Sequence, residues 1–208
     1  SHPEELVQHA HALDYQSLAL TDECSVAGAV RAHVAARECG LPLIIGSEFC
    51  LADGPRVVLL AKNRMGYRNL VRLITKARRA ANKGDYRLAR TDISSSEIAD
   101  CLGLLSCDPS PATKPAITHR YRSLEQNAIW LNQLLPHQTW VTVEQPANGF
   151  DREHLQFLQN ISNRTRIPLV AAGNVHMHVR SRQCLQDTLP AIRLRTTVHD
   201  AGRRLHAN

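Results

Sequence analysis

The chain has 208 residues, which is enough for one large domain or two small ones with a substantial core. A hydrophobic content of 43% excludes an intrinsically disordered chain, and no apolar run approaches the roughly 20 residues that span a bilayer. The net charge is +6 and rests mostly on arginine, which is typical of phosphate-binding proteins and of proteins from GC-rich genomes.

In chain order, short apolar or alternating runs closed by Gly, Pro or polar residues predict strands. These strands are Ser17–Thr21, Pro42–Ile45, Arg56–Ala61, Leu102–Ser106, Thr139–Val143 and Ile167–Ala172. Helical spacing of apolar residues predicts helices at Pro3–Leu13, Ala27–Cys39, Gly66–Asn82, Asp92–Asp100, Arg122–Leu135, Asp151–Arg164 and Ser181–Ile192. Three prolines within Cys107–Ile117 predict a loop, and Arg193–Asn208 is expected to be an exit segment.

The alternation of strands and helices predicts an α/β fold with a mostly parallel sheet. No Gly-rich phosphate loop follows any predicted strand, which favours a barrel-like arrangement over a nucleotide-binding Rossmann fold. The six cysteines form no C-x-x-C pair, so zinc-ribbon and disulfide frameworks are weak hypotheses. We therefore expect reduced thiols in a cytoplasmic protein.

Polar side chains follow three of the predicted strands directly. Asp22 and Glu23 come after the first strand, Glu48 after the second, and Asn174 and His176 after the last. The carboxyl ends of parallel strands are where α/β folds place their chemistry. These residues are therefore candidates for one shared site, although ordinary loop positions would explain each of them singly.

A second candidate surface lies on the predicted helix Gly66–Asn82. Leu70 and Leu73 belong to its apolar face, which is expected to pack on the sheet. The basic residues step by three or four positions along another side, which would make a stripe available to a phosphate backbone. They are Arg68, Arg72, Lys76, Arg79 and Lys83. A solvated face with no ligand is the equally weighted alternative.

Five short motifs in order along the chain resemble the PHP (polymerase and histidinol phosphatase) domain family. They are Thr21-Asp22-Glu23, Ile45-Gly46-Ser47-Glu48-Phe49, Leu59-Leu60-Ala61-Lys62-Asn63, Gly66-Tyr67-Arg68-Asn69-Leu70 and Gly173-Asn174-Val175-His176. Leu185-Gln186-Asp187-Thr188-Leu189 and the residues after it resemble in particular the PHP domains of bacterial error-prone DNA polymerases of the C-family alpha-subunit type. The resemblance implies that residues 1–208 are a single PHP domain, a fragment of a longer polymerase chain.

The resemblance also implies a distorted (β/α)7 barrel with up to three metal ions at its strand ends, where a metal-activated water attacks a phosphoester. Several family ligands are missing here, beginning with the H-x-H of a first strand that this chain is expected to lack. Glu23 replaces a histidine, Arg56 aligns with another, and Asn174 replaces an aspartate, while Cys107 is an uncertain match to a later ligand. The remaining metal candidates are Asp22, Glu23, Glu48 and His176.

The leading hypothesis is therefore a non-catalytic PHP module with a structural or interaction role in a polymerase that serves replication, translesion synthesis and repair. No tightly bound cofactor is expected, although residual Zn, Mn or Mg binding stays open. The alternatives are a metal-dependent phosphoesterase or 3′–5′ exonuclease, and a nucleic-acid-binding module. The expected partners are the remainder of the polymerase chain and, weakly, DNA phosphates at Arg68, Arg72, Lys76 and Arg79, with no membrane contact.

Overall fold

The computed structural model describes residues 1–107, 114–145 and 149–202. Its strands are β1 (Leu18–Leu20), β2 (Leu43–Cys50), β3 (Arg56–Ala61), β4 (Cys101–Ser106), β5 (Thr139–Val143) and β6 (Leu169–Ala171). Its helices are α1 (Pro3–Ala12), α2 (Ala29–Cys39), α3 (Arg64–Arg79), α4 (Lys114–Leu134), α5 (Asp151–Thr165), α6 (Gln183–Arg193) and α7 (Val198–Ala201). All six predicted strands are present, and the α/β class is confirmed.

The strands form one sheet in the order of the chain, from β1 to β6. β1 and β2 are parallel, and so are the neighbours from β4 to β6. β3 runs antiparallel to both β2 and β4 because a short turn, and no helix, joins β2 to β3. The sheet curls as a half-barrel, which is consistent with part of the expected barrel, but it is less uniformly parallel than predicted.

The prediction of a helix at Asp92–Asp100 is wrong. Only a short 3-10 turn, Arg90–Asp92, forms there. The Asp92 carboxylate accepts a hydrogen bond from the backbone N–H of Ala89 (2.8 Å), and the Glu97 carboxylate accepts one from that of Ser94 (2.9 Å). Each bond closes a single turn as a capping contact does, and the weak helix formers Ser94–Ser96 do not extend it into a helix.

The start of α4 also differs from the prediction. The helix begins at Lys114 and not at Arg122. Pro115 lies in its first turn, where the missing N–H of proline leaves no helical bond unmade, so this proline does not exclude helix. The remainder of the predicted loop, residues 108–113, lies outside the described residues. In the predicted exit segment, α7 forms one helical turn, and residues 203–208 again lie outside the described residues.

The main core lies between the sheet and its helices. Neighbouring strands direct Val57, Leu59, Leu105 and Val141 to the helix side, and all four are buried. The same register places their alternate neighbours on the concave side of the half-barrel, where Leu104 is only partly buried but Leu60 is buried. Arg56 and Ser106 at the strand ends lie on this concave side. Among the described residues, no helix is both long enough and apolar enough to cross a bilayer.

Candidate functional site

Glu48 lies within β2, and not beyond its end as predicted. β2 continues to Cys50 because its second half pairs with β3, and an isolated bridge joins Glu48 to Glu23 on the other side. The Glu48 N–H donates to the carbonyl of Asp22 (3.2 Å), and the Cys24 N–H donates to the carbonyl of Glu48 (2.8 Å). Buried Ser47 adds a bond from its hydroxyl to the Asp22 carbonyl (2.8 Å). This pairing fixes the first two candidate segments side by side.

Asp22 and Glu23 interact with different parts of the fold. The Asp22 carboxylate accepts a hydrogen bond from the backbone of Gly28 ahead of α2, and burial raises its pKa more than that bond lowers it. The Glu23 carboxylate accepts a bond from the Tyr86 hydroxyl (2.7 Å), which in turn accepts one from the Cys50 N–H (2.8 Å). Burial and the bond to Glu23 raise the Tyr86 pKa, so this hydroxyl stays a donor. Both acids therefore have structural partners.

The centre of the strand-end cluster is the guanidinium of Arg56. Its Nε lies 3.6 Å from Oε2 of Glu48, and its Nη2 lies 3.0 Å from Oε1 of Glu144. The same Nη2 donates to the hydroxyl of Ser106, which donates to Oε1 of Glu144 (2.6 Å). Asn174 donates from its amide to Oε2 of Glu144 (3.3 Å). One cation thus joins the carboxylates of β2 and of the residue after β5.

Glu144 and Ser106 were not among the predicted site residues. Glu144 follows β5 directly, so the strand-end rule that selected Asp22 would also have selected it. Asn174 adopts a left-handed backbone conformation (φ 47°), which asparagine tolerates better than most residues, and this turn directs its amide to Glu144. His176 lies two residues further along the same segment and is partly buried.

The electrostatics of the cluster centre on Glu48. Burial raises the pKa of its carboxyl, the Arg56 guanidinium opposes that shift, and the charges of Glu23 and Glu144 add to it. The side chains of Glu48 and Glu144 are only 21% and 12% exposed, so their charges need a nearby cation. Arg56 supplies that cation from within the chain.

The Arg56 guanidinium disfavours a further cation beside it. A unit positive charge about 4 Å from the Arg56 guanidinium would be repelled by roughly 4 kcal/mol at an effective dielectric constant of about 20. Oε2 of Glu48 and Oε1 of Glu144 already face Arg56. Within residues 1–107, 114–145 and 149–202, no three His, Cys, Asp or Glu side chains are close enough to share a metal ion.

The basic side of α3 is exposed, as predicted, and Leu70 and Leu73 on the other side are buried. Lys76 is an exception within the stripe, because its ammonium lies 2.6 Å from the Glu97 carboxylate. In the described part of the chain, Arg68, Arg72 and Arg79 have no ion-pair partner. These three arginines therefore remain as candidates for phosphate contacts.

A family model described as "PHP domain" matches residues 1–140 of this sequence. The chain belongs to the PHP domain family. The resemblance noted on the motifs is thereby confirmed, and the half-barrel is part of a PHP-type fold.

Curated relatives of this PHP domain are named "Error-prone DNA polymerase". Those from Methylococcus capsulatus and Dechloromonas aromatica are both 45% identical over all of this chain, which covers 19% and 20% of their respective lengths. The one from Pseudomonas fluorescens is 46% identical over 98% of the chain and 18% of its own length. The chain thus spans about a fifth of the curated relatives that it matches.

Two solved structures share the fold at low sequence identity. A candidate metal-dependent phosphoesterase from Bifidobacterium adolescentis aligns with a TM-score of 0.58 at 14% identity, over 85% of this chain and 82% of that one. An amidohydrolase from Chromobacterium violaceum with bound sulfate and no metal gives a TM-score of 0.59 at 14% identity, over 86% and 83%. At this identity the likeness concerns the fold alone.

Proposed function

We propose that this PHP domain is a module of a larger error-prone DNA polymerase, acting in translesion synthesis and repair, and that its role there is structural rather than catalytic. The relatives' identity of 41–46% over nearly all of the chain supports the polymerase context. Because the chain spans only about a fifth of those proteins, nucleotide transfer is assigned to other parts of such a polymerase.

The observation that carries the non-catalytic role is the position of Arg56. A phosphoesterase of this fold would have to gather divalent cations where the guanidinium lies between Glu48 and Glu144. A side chain that cannot lose its proton in a protein keeps that positive charge at every physiological pH. The competing function, a metal-dependent phosphoesterase or 3′–5′ exonuclease, would need the two carboxylates free.

Metal content and phosphoester cleavage test this role together. We expect substoichiometric zinc and manganese by elemental analysis of freshly purified chain, and no cleavage of a model phosphodiester or of a DNA 3′ end with added Mn²⁺. About two metal equivalents, with cleavage that Glu48→Ala abolishes, would establish the phosphoesterase instead. Glu97→Ala is the matched control, because it removes a carboxylate of the outer surface that pairs only with Lys76 among the basic groups.

An exposed apolar stripe on α6 supports an interaction role for the module. Leu185, Leu189 and Ile192 are spaced by four and three residues and are 48%, 50% and 66% exposed. Such spacing aligns side chains on one side of a helix, and helices with an unburied apolar side commonly pack against a partner. We assign this side of α6 to contact with the remainder of the longer polymerase chain.

Weak binding of DNA by α3 is the second candidate function. Arg68 and Arg72 are one helical turn apart, exposed and without ion pairs among the described residues, whereas Lys76 is bound to Glu97. Contacts of this kind neutralise phosphates without reading sequence. We therefore expect sequence-independent binding of duplex DNA with a Kd on the order of micromolar or weaker at physiological salt.

The salt dependence of that binding tests the α3 surface. In Arg68→Ala/Arg72→Ala, the slope of log affinity against log salt should fall by about 0.9 for each lost phosphate contact. Because both side chains are in solvent, stability should change by less than about 0.5 kcal/mol. Arg37→Ala/Arg152→Ala removes the same net charge from α2 and α5 and should leave the slope unchanged. Equal slopes in both double variants would identify a solvated surface with no binding role.

A further inference from the structure

Arg56 joins groups from almost the whole half-barrel. It lies at the first position of β3, and its guanidinium contacts Glu48 in β2, Ser106 at the end of β4 and Glu144 just after β5. Glu144 extends the connection to Asn174 in the segment after β6. Strands distant along the chain are therefore held at one end by a single side chain.

The charges of this cluster depend on one another. Two largely buried carboxylates face a guanidinium that is itself only 25% exposed. Removing one partner of a buried ion pair strongly destabilises a protein, because the other charge is left without compensation. Here the loss of Arg56 would leave two carboxylates close together with no cation between them. The neighbouring hydroxyl and amide, from Ser106 and Asn174, cannot neutralise that charge.

Resting on the proposed non-catalytic role, we propose that Arg56 is a built-in cation that holds the strand ends of this PHP domain together without a metal ion. The groups that contact its guanidinium all offer oxygen: the carboxylates of Glu48 and Glu144 and the hydroxyl of Ser106. Oxygen groups favour hard cations such as Mg²⁺ and Mn²⁺ over zinc, which prefers imidazole and thiolate. Replacing Arg56 by a small residue therefore leaves a space that such a cation enters.

Thermal unfolding of the 208-residue chain tests whether Arg56 holds the strand ends together. Arg56→Met, which keeps much of the length without the charge, should lower the midpoint by roughly 10 °C. Lys76→Met, which breaks the exposed pair with Glu97, should lower it by no more than about 3 °C. Arg56→Lys keeps the positive charge but loses the planar guanidinium, so its midpoint should lie between those of the other two variants. It also provides a folded variant to measure if Arg56→Met does not fold.

Neutralising the carboxylates separates charge from packing. Adding Glu48→Gln and Glu144→Gln to Arg56→Met should recover at least half of the lost unfolding midpoint if uncompensated charge causes the loss. A triple variant less stable than Arg56→Met would show that the hydrogen bonds and packing of Arg56 matter more than its charge. An Arg56→Met midpoint equal to that of Lys76→Met would equally overturn the proposal.

Cation addition completes the test. Millimolar Mn²⁺ or Mg²⁺ should raise the midpoint of Arg56→Ala and leave that of the unmodified chain unchanged. A rise of equal size in the unmodified chain, or no rise in either, would contradict a guanidinium that takes the place of a cation. These readouts are independent of catalysis. If the unmodified chain cleaved phosphoesters, the proposed function would fail while the stability results would still decide the role of Arg56.

Discussion

Gly66→Ala is expected to destabilise this domain by roughly 3 kcal/mol, although helix propensity alone would predict that the change stabilises it. Alanine is normally favoured over glycine within a helix by about 1 kcal/mol. At this position in α3, however, a Cβ would lie 2.1 Å from the backbone carbonyl oxygen of Asp100. A backbone atom cannot rotate away as a side chain can, so α3 would have to move away from the segment that leads into β4.

The surroundings of Gly66 make that movement costly. The Asn63 side chain accepts hydrogen bonds from the N–H groups of Met65 and Gly66 (2.8 and 3.0 Å) and donates to the Asp100 carboxylate (3.0 Å). Asn69 donates to the carbonyl of Ala99 (2.9 Å). Displacing the first turn of α3 would strain all of these bonds at once.

Chemical denaturation with urea measures the effect of Gly66→Ala. Met65→Ala is the control, because Met65 occupies the neighbouring position of the same turn and is 50% exposed. It should change the free energy of unfolding by less than about 0.5 kcal/mol. If Gly66→Ala instead raised the free energy of unfolding, as helix propensity alone predicts, α3 could not lie as close to Asp100 as it does in the structure.

Local pattern was sufficient for most of the fold. The predicted strands Arg56–Ala61 and Thr139–Val143 have the observed bounds, because each is an alternating or apolar run between clear turn signals. The reversal of β3 was not predicted, because the predicted second strand ended at Ile45 and hid how short the Leu51–Pro55 connection is. Strand direction depends on the length of each connection, which the apolar pattern of a single strand does not contain.

The site could be predicted only in part, for a different reason. Strand ends identified Asp22 and Glu48 as neighbours, and their segments do pair side by side. Which group faces which depends on long-range register, and nothing local relates Arg56 to Glu144, which is 88 residues away in sequence. In the same way, Lys76 and Glu97 come together only because the segment after α3 returns along the helix. Charge pairing between distant segments is a property of the fold and not of a motif.

The two sides of β4 lead to the last prediction. Leu105 faces the helices, is fully buried, and lies opposite Val57 and Val141 in the neighbouring strands. Leu104 is the adjacent residue, faces the concave side and is only partly buried. Leu105→Ala should therefore cost about 3 kcal/mol of unfolding free energy, since a cavity would remain among well-packed neighbours.

Leu104→Ala is the matched control, with the same atoms removed one residue earlier. It should cost about 1 kcal/mol, because the concave side is already partly in contact with water and less apolar area is lost from burial. Urea denaturation of both variants gives the two free energies directly. Equal losses would mean that the concave side is packed as tightly as the helix side. Leu105→Ala should cost more unfolding free energy than Leu104→Ala only if the main core of the half-barrel lies beneath the helices and the concave side, which carries Arg56, is packed less tightly.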